Sequence, residues 1–413
     1  MVRKQSGDRR AGTSFVSRKV SDIVDVQPRT HRIKTNEYLE RGLIPVIDQG
    51  EGQIAGYIDD PKRAYDGPLP VVIFGDHTCS LKFTASRFAV GADGTQLLTG
   101  KDSVDTRFLF YALHCAPIEQ FGYQRHFKLL KQSEIPVPPL PVQCRIASIL
   151  GTYDDLIEVN RQRIALQEEM ARRLFEEWFV RFRFPGHEGC TTVELPDGPL
   201  PGGWRWEPME AVCAQPNGIQ TGPFGSQLHQ SDYADEGVPV VMPKNIVDLH
   251  IVENDIARIS EDKADELGRH RMTVGDVVYG RRGDIGRRAY ITTREDGWFC
   301  GTGCLRMRPD ARQVRPRYFF DTLGLPTTLA AIRARAQGAT MPNLSAGAMS
   351  QVAVMVPPIE LQQRYENVAE PLAASIANLR SSNVNLGFTR DLLLPRLVSG
   401  ELYVTEPELE AVA

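Results

Sequence analysis

No stretch of the 413-residue chain approaches the roughly 20 consecutive apolar residues that a membrane-spanning helix needs. The N-terminus, MVRKQSGDRRAG, is basic but has no apolar run behind it, so it does not read as a secretory leader. A cytoplasmic protein is expected, with residues 1–14 loosely held. Cysteine is sparse and scattered: Cys79, Cys115, Cys144, Cys190, Cys213, Cys300 and Cys304, an odd number that makes no disulfide framework. Only Cys300 and Cys304 are close, and no second Cys or His pair completes a zinc site, so reduced buried thiols are expected. The eight His do not cluster at metal-ligand spacing. Gly94–Asp102, GTQLLTGKD, has the wrong spacing for a phosphate loop and an Asp where a hydroxyl is required.

Lysine is missing where positive charge is densest. Between Arg269 and Ser345 there are fourteen Arg and no Lys, against six acids, a surplus of eight. From Pro357 onward, eight acids face four Arg. The overall charge of −4 hides this contrast. Arg is the side chain whose planar fork suits phosphate or a guanine edge.

The chain repeats itself. Glu134–Leu150, EIPVPPLPVQCRIASIL, resembles Ala353–Glu370, AVMVPPIELQQRYENVAE. Pro138 aligns with Pro357, Gln143 with Gln362 and Arg145 with Arg364, each pair 219 apart. Upstream, Ile44–Ile47 matches Val238–Val241, Val72–Gly75 matches Val277–Gly280, and Arg107–Phe110 matches Arg317–Phe320, in the same order. A repeat in fixed order points to one supersecondary plan used twice. Segments such as LPVVIF and VAVMVP are β-rich, while DTRFLFYALH and RPRYFFDTLG have helical spacing.

A long amphipathic helix follows each Val-Pro-Pro. Apolar residues recur at Ile146, Leu150, Tyr153, Ile157, Ile164, Met170, Leu174 and Trp178 in the first. In the second they recur at Leu361, Tyr365, Val368, Leu372, Ile376, Leu379 and Leu386. Pro371 and Gly387 are expected to kink or interrupt the second helix. Asn160 and Asn383 lie near the stripes, either facing solvent or fixing register from inside. The expected fold is α+β: two similar mixed domains separated by a long antiparallel helical, coiled-coil pair, with pseudo-two-fold symmetry. The expected boundaries are domain one 15–139, helix 140–184, linker 185–202, domain two 203–357, helix 358–402 and an acidic tail 403–413.

Two unlike domains on a rigid spacer suit a split, asymmetric DNA target. At this point the residues resemble a known family, the specificity subunits of type I restriction–modification enzymes, over essentially the whole chain. PPLPVQCRIASILGTYDDLIEVNRQRIALQEEMARRLFEEWFVRF is similar to that family's central conserved region. VPPIELQQRYENVAEPL with RDLLLPRLVSGEL is similar to its C-terminal one. VVIFGDHTCSLKF, GYQRHFKLL, GIQTGPFGSQLHQSDY and VPVVMPKNI look like parts of its target-recognition domains. The resemblance implies double-stranded DNA as ligand, two methyltransferase (modification) subunits and restriction (translocase–nuclease) subunits as partners, and no membrane. It implies no catalysis and no cofactor in this chain, with S-adenosylmethionine, ATP and Mg in the partners. The Asn- or Asp-Pro-Pro-Tyr/Phe motif of an adenine methyltransferase is not in the sequence. The rival readings are a self-contained methyltransferase or nuclease, the specificity subunit of a methylation-only complex, and a scaffold that reads no sequence.

Base-contact candidates follow apolar strands. In domain one they are Asp76, His77, Thr78 and Lys82, then Tyr123, Gln124, Arg125, His126 and Lys128. In domain two they are Gln220, Thr221, Phe224, Ser226 and Gln227 on a Gly-rich stretch, Lys244 and Asn245, Arg281 and Arg282, and Arg333, Arg335, Thr340, Met341 and Asn343. For each the plain alternative is an ordinary turn or surface strand. The partner-interface candidates are Leu174, Phe175, Trp178, Phe179, Leu392, Leu393, Leu394 and Leu397.

Overall fold

Pro138 and Pro357 each end a strand, and the glutamine five residues on folds back over the break. The Gln143 amide donates to the Pro138 carbonyl at 2.8 Å and its oxygen accepts from the Asp105 N–H at 2.9 Å. Gln362 repeats this with Pro357 at 2.7 Å and Arg315 at 2.8 Å. Proline has no N–H for a ladder and a φ preset for the helix that starts next. A buried glutamine then satisfies the carbonyl left behind.

The computed structural model describes residues 15–28, 31–91, 94–117, 125–194, 199–225, 227–338 and 342–402. It divides into two compact units, one from residues 1–163 and 378–413, the other from 164–377. The first unit holds β1 (Val16–Lys19), α1 (Val20–Ile23), β2 (Val24–Gln27), β3 (Ile44–Ile47), β4 (Gly56–Ile58), β5 (Val71–Gly75) and β6 (Leu81–Thr84). It continues with β7 (Ala89–Val90), β8 (Thr95–Gly100), α2 (Thr106–His114), α3 (Phe127–Gln132), β9 (Glu134–Val137) and the start of α4 (Leu140–Phe175). β1 pairs antiparallel with β9. One sheet runs β2-β8-β5-β6, the other β4-β3-β7, with β3 and β7 parallel.

The second unit holds β10 (Thr192–Val193), β11 (Leu200–Pro201), β12 (Arg205–Pro208), α5 (Met209–Val212), β13 (Ile219–Thr221), β14 (Tyr233–Ala234) and β15 (Val238–Val241). Then come β16 (Ile246–Val247), β17 (His250–Ile251), β18 (Ala257–Ile259), α6 (Glu261–Glu266), β19 (Val277–Gly280), β20 (Arg288–Tyr290) and β21 (Phe299–Cys300). Last are β22 (Cys304–Met307), α7 (Pro316–Thr322), α8 (Pro326–Arg335), α9 (Ala346–Ser350), β23 (Ala353–Val356) and the start of α10 (Ile359–Val398). β12 pairs antiparallel with β23, one sheet runs β13-β22-β19-β20, and β15 lies parallel to β21 in the other. This is the first unit's plan again. The matched sequence stretches fall on matched elements: β3 and β15, β5 and β19, α2 and α7, β9 and β23.

Strand alternation builds two cores on each central strand. Val72 and Phe74 of β5 face the core shared with α2 and α4, while Val71 and Ile73 face a second cluster. In β19, Val277 and Tyr279 face one core and Val278 the other. A five-residue strand buried throughout is what a sheet covered on both faces requires. α2 starts where the Asp105 carboxylate accepts the Phe108 N–H at 2.7 Å, and α7 where Pro316 takes the first helical position.

In the first unit, α4 and α10 run antiparallel, since Asp154 meets Arg390 while Asn160 meets Asn383. Asn160 is 3 % accessible, and its amide donates to the Asn383 oxygen at 2.9 Å. The Asn383 amide in turn reaches the Ile157 carbonyl at 3.4 Å. One hydrogen bond therefore joins the two asparagines inside the stripe, and the Ile157 carbonyl takes the second. Asn160→Leu should cost about 1–3 kcal/mol, because it strands the Asn383 side-chain oxygen. Leu at both positions should restore stability, since an apolar pair needs no hydrogen bond. Thermal melts of the two variants test this, and a double variant no better than the single one refutes it.

Several expectations are corrected. α10 is unbroken from 359 to 398 through Pro371 and Gly387. Pro371 is exposed, so water can serve the carbonyl that loses its N–H partner. Met170 and Val368, read as stripe residues, are 50 % and 46 % exposed. The segment expected as a linker carries the β10–β11 pair, and Leu200 enters the core beside Phe184 and Trp204. All seven cysteines are free; Cys213, Cys300 and Cys304 are buried, but Cys144 and Cys190 are exposed. The 1–14 segment and the acidic tail lie outside the described residues.

Candidate nucleic-acid interface

In each unit the loops at the ends of the two central strands gather around one short turn. In the second unit that turn is Gly301-Thr302-Gly303, between β21 and β22. The Arg281 N–H, just past β19, donates to the Gly303 carbonyl at 2.9 Å. The Thr302 hydroxyl donates to the Pro223 carbonyl at 3.0 Å, and the Gly301 N–H to Val241 at 3.0 Å. This brings the ends of β13, β15 and β19 together. In the first unit, the Asp76 N–H donates to the Gly94 carbonyl at 2.7 Å. The Thr78 hydroxyl donates to the Gln49 carbonyl at 2.6 Å, so the ends of β3 and β5 meet there.

The correspondence extends to the loop before the last short helix. The His126 N–H donates to the Asp76 carbonyl at 2.8 Å, and the Leu344 N–H to the Arg281 carbonyl at 2.9 Å. One backbone scaffold thus carries an acid at one site and an arginine at the other. The Asp76 carboxylate also accepts the Phe127 N–H at 2.9 Å, capping α3 from outside. The Arg281 guanidinium donates through Nη1 to Asn343 Oδ1 at 3.0 Å. Burial, with the neighbouring Arg282 charge, pulls the Arg281 pKa below its usual value.

Burial corrects five base-contact candidates: Asp76, Lys82, His126, Asn245 and Arg281 are all 5 % accessible or less. The Lys82 ammonium donates to the Asp48 carbonyl at 2.8 Å and to Gly52, and burial lowers its pKa against the pull of Asp48. The Asn245 oxygen accepts the Met242 N–H at 3.1 Å, and its amide reaches Val252 and Asn254. The His126 ring lies against the Asp76 carbonyl. These side chains brace loops rather than present themselves.

The surface is left to others. Thr78, Arg125 and Lys128 are exposed in the first unit, and His77 is half-buried. In the second, Phe224, Lys244, Arg282, Arg333, Arg335 and Asn343 are exposed, with Gln220, Thr221 and Gln227 half-buried. Arg281 links Phe224 to Asn343. Arg333 Nε donates to the Ile285 carbonyl at 3.1 Å, which puts it beside the Arg281–Arg282 loop. Arg335 Nη1 donates to its own helix at Ala331, 3.1 Å away. Tyr123, Gln124, Ser226, Thr340 and Met341 lie outside the described residues.

Sequence reasoning missed Gln49 and the Gly301–Gly303 turn. The signal for Gln49 was its place after strand β3, matching Lys244–Asn245 after β15. The signal for the turn was Gly-Thr-Gly between two apolar pairs, overlooked in favour of the flanking cysteines.

Three of the partner-interface residues are core instead: Phe175, Phe179 and Leu397 are 6 %, 1 % and 1 % accessible. Leu174 and Trp178 pack on the second unit's core, Leu393 and Leu394 on the first's. Leu392 is exposed, in a stripe with Val384 and Phe388 at four-residue spacing on α10, at 54 %, 71 % and 65 %.

A model of the type I restriction modification DNA specificity domain matches residues 13–168 and again residues 229–379. The type I restriction enzyme MjaIX specificity subunit of Methanocaldococcus jannaschii is 25% identical over 328 residues, 76% of this chain and 73% of that protein. The crystal structure of the S subunit of a type I restriction-modification system from M. genitalium aligns with a TM-score of 0.62 at 16% identity, covering 95% of this chain and 98% of that one. That likeness concerns the fold. Matched twice by one domain model over most of its length, the chain belongs to the type I restriction modification DNA specificity family, as a type I specificity subunit.

Proposed function

We propose that each unit reads half of an asymmetric, two-part DNA target with its strand-end loops. The observation that carries this reading is the repeated scaffold with unlike presented residues just past equivalent strand ends, His77 and Thr78 in one and Arg282 in the other. Equal backbones with different side chains give two readers of different sequence. The chain itself does no catalysis. Methyl transfer from S-adenosylmethionine belongs to two methyltransferase subunits, and ATP- and Mg-dependent translocation and cleavage to restriction subunits. The exposed Val384–Phe388–Leu392 stripe supports a helical contact with a methyltransferase. No described helix is long and apolar enough to cross a membrane, in keeping with a cytoplasmic DNA-bound complex.

The test is to co-express the chain with its methyltransferase, map methylated adenines in host DNA, and measure binding to that sequence and to a scrambled one. Specific binding should weaken by roughly 10³-fold or more between about 50 and 200 mM salt, as released counterions require. Equal affinity for scrambled DNA would leave only a scaffold. Methylation by the chain alone would make it an enzyme.

A further inference from the structure

Phe224 is 55 % accessible, yet the chain around it is tightly held. The Gly222 N–H donates to Cys304 at 3.0 Å, and a Cβ on Gly222 would stand 2.0 Å from the Gly301 oxygen. The Thr302 hydroxyl holds the Pro223 carbonyl. The Gln227 N–H donates to the Phe224 carbonyl at 2.8 Å, and Leu228 behind it is buried. Only glycine fits at 222, where the chain passes close against Gly301. On one side of the ring stands the Arg281 guanidinium, 5.9 Å from the centroid. Arg281 is 5 % accessible, and its Nε has no hydrogen-bond partner among the described residues. Residues 222–224 thus display an aromatic ring to solvent against a buried cation.

We propose that Phe224 is a stacking platform for a nucleobase that has lost its neighbour in the half-site read by the second unit. This rests on the DNA-reading role above and adds a step to it. An enzyme that modifies a base must take it out of the stack, which leaves the flanking and opposite bases with an open face. An aromatic ring covers such a face whatever the base, because every base has a π surface. Arg281 braces the ring from below by cation–π contact. Gln220, Arg282 and Asn343 around it supply the polar reading that the ring cannot.

The experiment uses the full chain with its methyltransferase on the mapped target duplex. The target adenine of each half-site is replaced in turn by an abasic sugar, which leaves the same open faces. The wild type should bind the abasic form of the second unit's half-site more tightly than the intact duplex. Phe224→Ala should lose that gain, roughly 5- to 100-fold. Phe224→Tyr should keep it. An equal gain in wild type and Phe224→Ala overturns the proposal, as does a loss confined to the other half-site. If even the wild type does not distinguish target from scrambled DNA, the DNA-reading role fails instead.

Discussion

Arg282→Ala should relax discrimination at one base pair of the second unit's half-site by about 1–3 kcal/mol, roughly 5- to 150-fold, and leave the other half-site unchanged. Arg282 is exposed, follows β19, and its backbone bridges to Asn343. Its loss therefore removes a presented fork without opening a core. Arg281→Ala should differ. It removes the link to Asn343 and the brace under Phe224, so selectivity and melting temperature should fall together. Arg281→Lys should not rescue it, because an ammonium cannot span the same partners with a planar fork. Binding measured on targets mutated in one half at a time, beside thermal melts, separates the two. An equal loss at both half-sites for Arg282→Ala would sink the assignment of this loop to one half.

Phe179→Ala should cost about 3–5 kcal/mol, the usual range for emptying a buried phenylalanine site. Phe179 is 1 % accessible and sits among Phe175, Tyr318, Tyr365 and Trp204, with ring centroids at 4.9, 4.7, 5.1 and 5.9 Å. It projects from a π-helical turn, Glu176–Val180, that follows α4. The rings on the other side come from α7 and α10, so one side chain ties three elements of the second unit. In a unit of this size such a loss lowers the melting temperature by roughly 6–20 °C, which calorimetry reads directly. A shift under about 2 °C, with methyltransferase assembly lost, would return Phe179 to the partner surface where its sequence motif had put it.

The repeat was legible because it rests on local rules. Proline stops a strand, the next helix starts, and a glutamine at fixed spacing closes the gap; Gln143 and Gln362 each do this with the preceding proline carbonyl and a backbone N–H before α2 or α7. The β5 and β19 strands were legible as apolar runs. What could not be read was which polar residues past those strands turn inward. Lys82 is buried because the Asp48–Gly52 loop offers two carbonyls, and Arg281 because Asn343, 62 residues later, offers an oxygen. Such partners come from distant loops, and no periodicity announces them. The same holds for Trp178 and Phe179, which differ in accessibility although adjacent. Pro371 misled in the other direction: on an exposed helix face the loss of one hydrogen bond does not stop a helix held by residues on its other side.

The division of the chain between its two units bears on how it is made. Residues 164–377 are continuous, so the nascent chain carries everything the second unit needs before α10 is finished. The first unit must wait. Its core includes Leu397 and Val398 packed with Val20 and Ile23, and the Phe15 ring lies close against Gly400. The domain that leaves the ribosome first is thus completed last, with apolar surface uncovered while the rest is translated. A message cut short in α10 just after residue 377 would release a polypeptide with one finished reader and one that stays open.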